Sequence, residues 1–160
     1  MVIDMSNLDI KQIDVCDMKD FYIASAEDFD KATGVTVIAS REGATASVDV
    51  RGGGPATRET DLLSPENMVQ AIHAVVLSGG SAYGLEASSG VMEYLASKDI
   101  GFDVGVGKVP IVCGASLFDL QIGQNSYPDK EMGYRAAYNA FEAESTCFKQ
   151  GNYGAGTGAT

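Results

Sequence analysis

A polar, glycine-rich corner at residues 78–84 (SGGSAYG) is the first place where this chain could do chemistry. It follows an apolar run typical of a buried strand and precedes a predicted helix, so its backbone N–H groups would lie at a helix N-terminus. Such groups stabilise the negative charge that develops during acyl transfer. We therefore expect Gly79, Gly80 and Ser81 to line a substrate pocket. Three roles stay open for Ser81: a helix cap, a nucleophile, or a substrate contact that does not attack.

The histidine content limits the mechanism, because the sequence contains one histidine, His73. His73 begins the strand that leads to the corner and would lie a strand's length from Ser81. The G-x-S-x-G pattern of a nucleophile elbow is also incomplete, since Tyr83 replaces its last glycine. For acyl transfer the alternative is an N-terminal Ser or Thr whose own α-amine acts as the base. That solution requires a chain terminus created beside the site.

A second glycine-rich run, residues 151–160 (GNYGAGTGAT), ends the chain. Glycines this dense mark tight turns, or a close approach of the backbone to a ligand or to another segment. We expect this run to lead into polypeptide outside the present sequence, which would complete an active site.

Two further polar residues are candidates for catalysis or binding. Asn139 lies on the predicted helix 130–145 and shares its inward face with small and apolar residues. A buried amide needs partners, because an unpaired buried polar group costs about 1–3 kcal/mol. Asn139 is therefore either a core residue bonded to neighbouring backbone or an oxyanion donor. Lys108, which precedes an apolar strand, could supply the positive end of a pocket.

The elements that must position these residues alternate between strands and helices. Strands are predicted at 34–39, 45–51, 73–77 and 109–120, and helices at 82–97 and 130–145, with a short helix beginning at Ser64. Residues 41–44 would join the first two strands in a hairpin, and the segment before Gly34 would form a peripheral strand or two with loops. This order predicts a layered, mixed α/β (α+β) architecture.

Composition and charge narrow the function further. We expect a single domain over residues 1–160, with 1–32 as a peripheral acidic segment. The net charge of −11 comes from 22 acidic and 11 basic residues, and the lack of a basic stripe argues against a nucleic-acid partner. The three cysteines form no metal-ligand pattern, and no apolar stretch has the length of a membrane span. These features predict a reduced, cytoplasmic protein without a metal.

Several unusual segments occur in the order known from one enzyme family. They are residues 33–37 (TGVTV), 48–53 (VDVRGG), 57–63 (TRETDLL), 77–85 (LSGGSAYGL), 109–112 (VPIV), 118–120 (FDL), 132–134 (MGY) and 151–159 (GNYGAGTGA). In these segments the chain resembles the L-aminopeptidase/D-esterase family of self-processing hydrolases. That family also includes β-peptidyl aminopeptidases and nylon-oligomer hydrolases.

The resemblance implies a fold, a maturation step and a partner. The fold would be an αββα sandwich similar to that of N-terminal-nucleophile hydrolases. In the family, a precursor cleaves itself before a Ser or Thr in a Gly-Gly-x-Gly-(Ser/Thr) stretch, shortly after the segment matching residues 151–159. The new N-terminal residue is the nucleophile of the β chain. The resemblance therefore implies that this chain is the α part, that αβ pairs assemble into a larger oligomer, and that no cofactor is required.

Few site residues carry over from the family. By resemblance Asn139 matches the oxyanion-hole Asn, Tyr83 the active-site Tyr, and Lys108 a lysine that some nylon-oligomer hydrolases use. Cys113 stands where the family often has Pro. The implied function is an aminopeptidase-type amidohydrolase acting on small peptides or amino-acid amides and esters. Two alternatives remain: a serine esterase that uses Ser81, and a non-catalytic small-molecule-binding domain.

Overall fold

One five-stranded sheet forms the frame of the molecule. The computed structural model describes residues 11–143 and 148–160. Its strands are β1 (Tyr22–Asp28), β2 (Thr33–Ala44), β3 (Thr57–Arg58), β4 (Ile72–Ser78), β5 (Phe102–Asp103), β6 (Lys108–Val109) and β7 (Val112–Ser116). The main sheet has the order β1-β2-β4-β7-β3, and β5 pairs with β6 separately. The β4–β7 pair is parallel, and the other pairs of the described residues are antiparallel.

Two long helices pack side by side on this sheet. The helices are α1 (Ser81–Gly84), α2 (Ala87–Ser97) and α3 (Lys130–Glu142), with 3₁₀ turns at Val15–Asp17, Asp61–Leu63 and Gly154–Gly156. α3 begins where the sequence predicts, because the Asp129 carboxylate accepts the N–H of Met132 at 2.8 Å. α2 and α3 approach closely because Gly90 lies between them, where a Cβ would overlap the carbonyl oxygen of Lys130. The mixed α+β class is thereby confirmed.

The core lies between the sheet and these two helices. Residues at most 1% exposed come from both layers: Val35, Val37, Val76 and Val112 from the strands, and Val91, Tyr94, Leu95, Ala136 and Ala137 from the helices. Burial of a side chain such as Leu95 contributes about 1.5–3 kcal/mol. This cluster fixes α3 above β1 and β2, and so determines which edge of the sheet Asn139 can reach.

The opposite face of the sheet is apolar and only partly covered by the described residues. Ile23, Ile38, Val75 and Cys113 lie side by side across four neighbouring strands. In the adjacent row the side chain of Leu77 is 39% exposed. Sheets with two apolar faces are normally covered on both sides, so this face suits a further layer.

The predicted strand at 45–51 is wrong. β2 instead continues through residues 41–44 and ends at Ala44, and its hairpin partner is β1. Val48 and Val50 alternate with polar residues as the prediction required, but they are 47% and 42% exposed. No strand lies beside them in the part of the chain that the structure describes. Alternation indicates which side chains share a face, and it does not supply a pairing partner.

The other predicted helices and strands differ from the observed ones mainly in length. The segment at Ser64 closes a single turn, in which the N–H of Asn67 is donated to the Ser64 carbonyl at 3.0 Å, and no helix follows. The predicted helix 82–97 is interrupted between α1 and α2, and the predicted strand 109–120 is confined to β6 and β7. The strand 73–77 is confirmed as β4, and the helix predicted at 130–145 is confirmed as α3 up to Glu142. Ala143 is extended, and residues 144–145 lie outside the described residues.

The acidic segment 1–32 is described only from residue 11. Within it, β1 forms an edge of the main sheet and pairs with β2 along its whole length. The division into a single domain with a peripheral segment stays a prediction.

Candidate active site

The two glycine-rich segments meet at one end of the main sheet, where β4 and β7 finish. The corner at residues 79–81 follows β4 directly, and the 3₁₀ turn Gly154–Gly156 of the terminal run packs against β1, β2 and β4. Gly158 lies deeper, because a Cβ there would overlap the carbonyl oxygen of Ala32 and approach the Asp119 carboxylate within 2.7 Å. The terminal run therefore reaches from the edge strand β1 to the glycine corner.

The backbone N–H groups of the corner are already used inside the protein. Gly79 N–H is donated to the carbonyl of Gly34 at 2.9 Å, and Ser81 N–H to the carbonyl of Leu117 at 2.9 Å. Gly80 N–H is donated to the Asp119 carboxylate at 2.6 Å. The expectation that these N–H groups would stabilise a developing anion is therefore not met, since none of the three is left to donate to a substrate.

Asp119 belongs to the corner, and the sequence did not single it out. Its carboxylate is 3% exposed and accepts bonds from Gly80 N–H at 2.6 Å and from the Thr33 hydroxyl at 3.3 Å. This carboxylate occupies the position that an anionic ligand would take at the corner. The only sequence signal was its place in the segment 118–120, shortly after a buried strand.

The corner backbone is strained at Ser81. Gly80 has a φ of 84° and Ser81 a φ of 54°, so two successive residues are left-handed. Gly80 tolerates this conformation, whereas it costs a residue such as Ser about 1–2 kcal/mol. The bond from Ser81 N–H to Leu117 opposes that cost. This geometry exposes part of the Ser81 side chain at the corner.

Ser81 nevertheless lacks a histidine base. His73 lies at the other end of the seven-residue strand β4, about 20 Å away along the strand. Its Nδ1 accepts the N–H of Ile111 at 3.2 Å. Burial, with a smaller effect of the Lys108 charge, lowers the pKa of His73 below its usual value. The histidine is thus a neutral structural residue remote from the corner.

Asn139 is placed at the edge of β1 by the last turns of α3. Its Nδ2 donates to the carbonyl of Ser25 at 3.1 Å. Because the Ser25 carbonyl can only accept, the amide nitrogen must be the atom that faces it, and the amide orientation is fixed. The amide borders a cleft of about 300 Å³ whose lining includes Ile23, Ser25, Glu27, Asn139, Lys149 and Tyr153.

The terminal glycine run forms one wall of this cleft. Gly154 N–H is donated to Glu27 Oε2 at 3.3 Å, and Ala155 N–H to Thr36 Oγ1 at 3.2 Å. Gly154 has a φ of 56°, and a Cβ at this position would overlap the side chains of Thr36 and Ser25. Glycine is required here by both the conformation and the space.

Tyr83 lies at the corner and not in the cleft of Asn139. It is 63% exposed, and its ring stacks on Tyr127 with centroids 4.9 Å apart. Tyr127 precedes the first turn of α3, whereas Asn139 lies nine residues beyond Lys130, about 14 Å along the helix. The two residues therefore lie near opposite ends of α3, and they do not converge on one atom.

Lys108 is not part of either group. Its Nζ bonds the Asp99 carboxylate at 2.9 Å and the Asp99 carbonyl at 2.8 Å. β6, which carries it, lies near His73 at the far end of β4. The prediction that Lys108 supplies the positive end of a substrate pocket gains no support from these contacts and stays a prediction.

Two further features of the described residues bear on metal binding and on membrane insertion. Among residues 11–143 and 148–160, no three His, Cys, Asp or Glu side chains group so that they could hold a metal ion. None of the helices there combines the length and the apolar character that crossing a bilayer requires.

Comparison with known proteins identifies the family. Residues 4–160 match the sequence model of peptidase family S58. The chain belongs to this family. An uncharacterized aminopeptidase of Mycobacterium leprae is 47% identical over 133 residues, which are 80% of this chain and 37% of that protein. A 6-aminohexanoate-oligomer endohydrolase of Kocuria sp. is 33% identical over 139 residues, which are 86% of this chain and 36% of that protein.

These matches confirm the resemblance to the L-aminopeptidase/D-esterase and nylon-oligomer hydrolase family. The S58 chain spans less than two fifths of the length of these two relatives. A protein of Pyrococcus horikoshii with a crystal structure aligns at a TM-score of 0.63 over 89% of this chain and 43% of its own, with 17% identity. At that identity the match shows a shared fold alone.

Proposed function

We propose that this S58 chain is the α part of a self-processed amidohydrolase that cleaves amide or ester bonds in small peptides and amino-acid derivatives. The names of the relatives, aminopeptidase and oligomer endohydrolase, support hydrolysis of such bonds. The nucleophile would be an N-terminal Ser or Thr on a β chain from the same precursor. That β chain would cover the open sheet face at Ile38 and Val75 and complete an αββα sandwich. Oligomers of such αβ pairs and a cytoplasmic location remain sequence predictions.

The observation that best supports this proposal is that only one of the two side-chain N–H groups of Asn139 is bonded within the described residues. One N–H of Nδ2 is donated to the Ser25 carbonyl, and the second has no hydrogen-bond partner among the described residues. The first bond fixes the amide, so the second N–H is held in place at the cleft. A donor that is already oriented stabilises an oxyanion without reorganising when the charge develops.

The proposed reaction needs no base other than the terminal amine. The hydroxyl of the N-terminal residue attacks the substrate carbonyl carbon, and its proton passes to the α-amine of the same residue. The carbonyl oxygen becomes an oxyanion and accepts the free N–H of Asn139. Collapse breaks the bond to the leaving amine or alcohol, which takes the proton from the α-ammonium, and an acyl-enzyme remains. Water, losing a proton to the same amine, then releases the acid and restores the hydroxyl.

The corner would serve as a wall of the substrate site. Tyr83 presents an exposed ring stacked on Tyr127, which suits contact with a substrate portion away from the scissile bond. Gly79, Gly80 and Ser81 would contribute shape and not hydrogen-bond donors, because their N–H groups are already bonded.

Replacing Asn139 tests the proposal. In the full-length protein Asn139→Ala should lower kcat by about 10²–10³-fold, with a smaller change in KM, which is the usual effect of losing one oxyanion donor. The matched control is Asn125→Ala on an exposed loop, which should retain activity. Full activity of the Asn139→Ala variant would refute the assigned role.

Two further measurements separate the alternative functions. A self-processed protein gives two bands on a denaturing gel, and a Ser81→Ala variant should keep its activity. A single band with activity lost in Ser81→Ala would instead establish the serine esterase. A folded protein that releases no product from activated esters would establish the binding domain.

A further inference from the structure

The ring of Tyr83 lies on a short and open element. Tyr83 belongs to α1, a single turn of four residues, and it is 63% exposed. Among the described residues its hydroxyl has no hydrogen-bond partner, and the aromatic ring beside it is that of Tyr127. An exposed tyrosine samples several staggered rotamers unless a neighbour favours one of them. Tyr127 is therefore the residue that can fix the direction of the Tyr83 ring.

We propose that Tyr127 is a positioning residue, whose ring holds the Tyr83 ring in the orientation that contacts the substrate. This inference rests on the proposed function, in which Tyr83 forms part of the substrate wall. It assigns a role at the corner to the loop that precedes α3.

Tyr127 suits this role because its own backbone is held from both sides. On one side Gly80 packs against it so closely that a Cβ at residue 80 would overlap the Cβ of Tyr127. On the other side Pro128 is less than 2% exposed, and a proline restricts the residue before it to extended conformations. The Asp129 carboxylate then accepts the N–H of Met132 and starts α3. Tyr127 is thus fixed between the glycine corner and a packed helix.

The geometry of the two rings is that of a stacked pair. The ring centroids of Tyr83 and Tyr127 are 4.9 Å apart, and the ring planes differ by 20°. Such a contact favours the stacked orientation by about 2- to 10-fold over orientations that lack it. Because an apparent binding constant scales with the fraction of protein in the competent state, losing the contact should lower kcat/KM by up to about the same factor.

The first test measures kcat/KM of the full-length protein for alanine p-nitroanilide. Tyr127→Ala should lower the value by about 2- to 10-fold. Tyr127→Phe should keep it within about 1.5-fold, because stacking requires the ring and not the hydroxyl. Equal losses in the two variants, or no loss in Tyr127→Ala, would overturn the inference.

The matched control for this comparison is Phe102→Ala on β5. Phe102 is 41% exposed and Tyr127 is 42% exposed, so both substitutions remove a half-exposed aromatic ring. Phe102→Ala should keep kcat/KM within about 1.5-fold of the wild type. A loss as large as that of Tyr127→Ala would show a general effect of removing a surface ring and would contradict the role of Tyr127.

A double-mutant cycle separates positioning from a direct or a structural role. If Tyr127 acts through Tyr83, then Tyr127→Ala should have no further effect on kcat/KM in a protein that already carries Tyr83→Ala. An equal loss in both backgrounds refutes the inference, because Tyr127 would then contact the substrate itself or support the fold.

Fluorine NMR measures the ring orientation without any hydrolysis. In full-length protein labelled with 3-fluorotyrosine, the Tyr83 signal is assigned by its disappearance in Tyr83→Phe. The ring current of Tyr127 should move this signal away from the position of a free tyrosine. Tyr127→Ala should remove that shift, and Tyr127→Phe should keep it.

The two measurements distinguish failure of this inference from failure of the proposed function. A wild-type protein that hydrolyses neither amides nor esters refutes the proposed function, and the fluorine shift then decides alone whether Tyr127 fixes the Tyr83 ring. A shift that is lost in Tyr127→Ala supports the inference. An unshifted Tyr83 signal in the wild type, or a shift that persists in Tyr127→Ala, rejects it.

Discussion

Removing the Asp119 carboxylate tests whether its hydrogen bonds stabilise the glycine corner. The carboxylate is 3% exposed and joins the corner at Gly80 to the start of β2 at Thr33. Gly79 and Gly158 crowd it, because a Cβ on either would approach or overlap its oxygens. The packing around the carboxylate therefore leaves no space for water to enter and for the corner to rearrange while Asp119 is present.

The expected magnitude follows from the groups left behind. Asp119→Ala leaves two buried donors, Gly80 N–H and the Thr33 hydroxyl, without an acceptor. Each unsatisfied group costs about 1–3 kcal/mol, so the free energy of unfolding should fall by about 2–5 kcal/mol after partial relaxation. Asp119→Asn keeps an acceptor for Gly80 N–H, and its amide can donate to Thr33. This variant loses mainly the charge assistance, and about 1–2 kcal/mol is expected.

Denaturant unfolding at neutral pH measures both values. The slope of the unfolding free energy against denaturant should stay unchanged, which shows that the folded and unfolded states are comparable. Asp20→Ala, at an exposed position, is the control and should lie within about 0.5 kcal/mol of the wild type. An Asp119→Ala variant as stable as this control would refute the argument that Asp119 holds the corner.

Two further predictions concern pH and helix packing. Burial lowers the pKa of His73 below 6.5 in the folded protein. As the pH falls below 6.5 the unfolded chain therefore takes up the proton first, and the free energy of unfolding decreases. Unfolding measured across this pH range should show a weaker pH dependence for His73→Gln. Gly90→Ala should lower the free energy of unfolding by about 1–3 kcal/mol despite better helix propensity, because its Cβ would overlap α3. The control is Gly53→Ala, which has open space around its Cβ and should change the free energy of unfolding very little. A Gly90→Ala variant more stable than the wild type would contradict the close approach of α2 and α3.

Elements defined by their own sequence were predictable. The apolar run of β4 and the Asp129 cap of α3 are local signals, and both elements occur where they were expected. The predicted strand at 45–51 failed because a strand also needs a neighbour, and β2 takes β1 as its hairpin partner instead. A short alternating segment contains no information about which strand will lie beside it.

The sequence predicted the residues of the site better than it predicted their hydrogen-bond partners. The sequence places the corner between a strand and a helix, but the acceptors of its N–H groups come from distant positions, Gly34, Leu117 and Asp119. Asn139 bonds backbone through one N–H, the second N–H has no partner among the described residues, and its role as an oxyanion donor stays a prediction. Lys108 is bound by Asp99, a pairing that spacing alone could not distinguish from a pocket cation.

Asp119 also bears on where an oxyanion can form. Two negative charges about 4 Å apart repel by about 4 kcal/mol at the effective dielectric typical of protein surfaces, which corresponds to roughly a thousandfold in rate. An oxyanion at the corner would meet this repulsion and would find no free N–H from residues 79–81. The amide of Asn139 lies at the edge of β1, beyond β2 from the corner strand. Under the proposed function, acyl transfer is therefore expected at that edge, and the corner would shape the substrate instead of stabilising its charge.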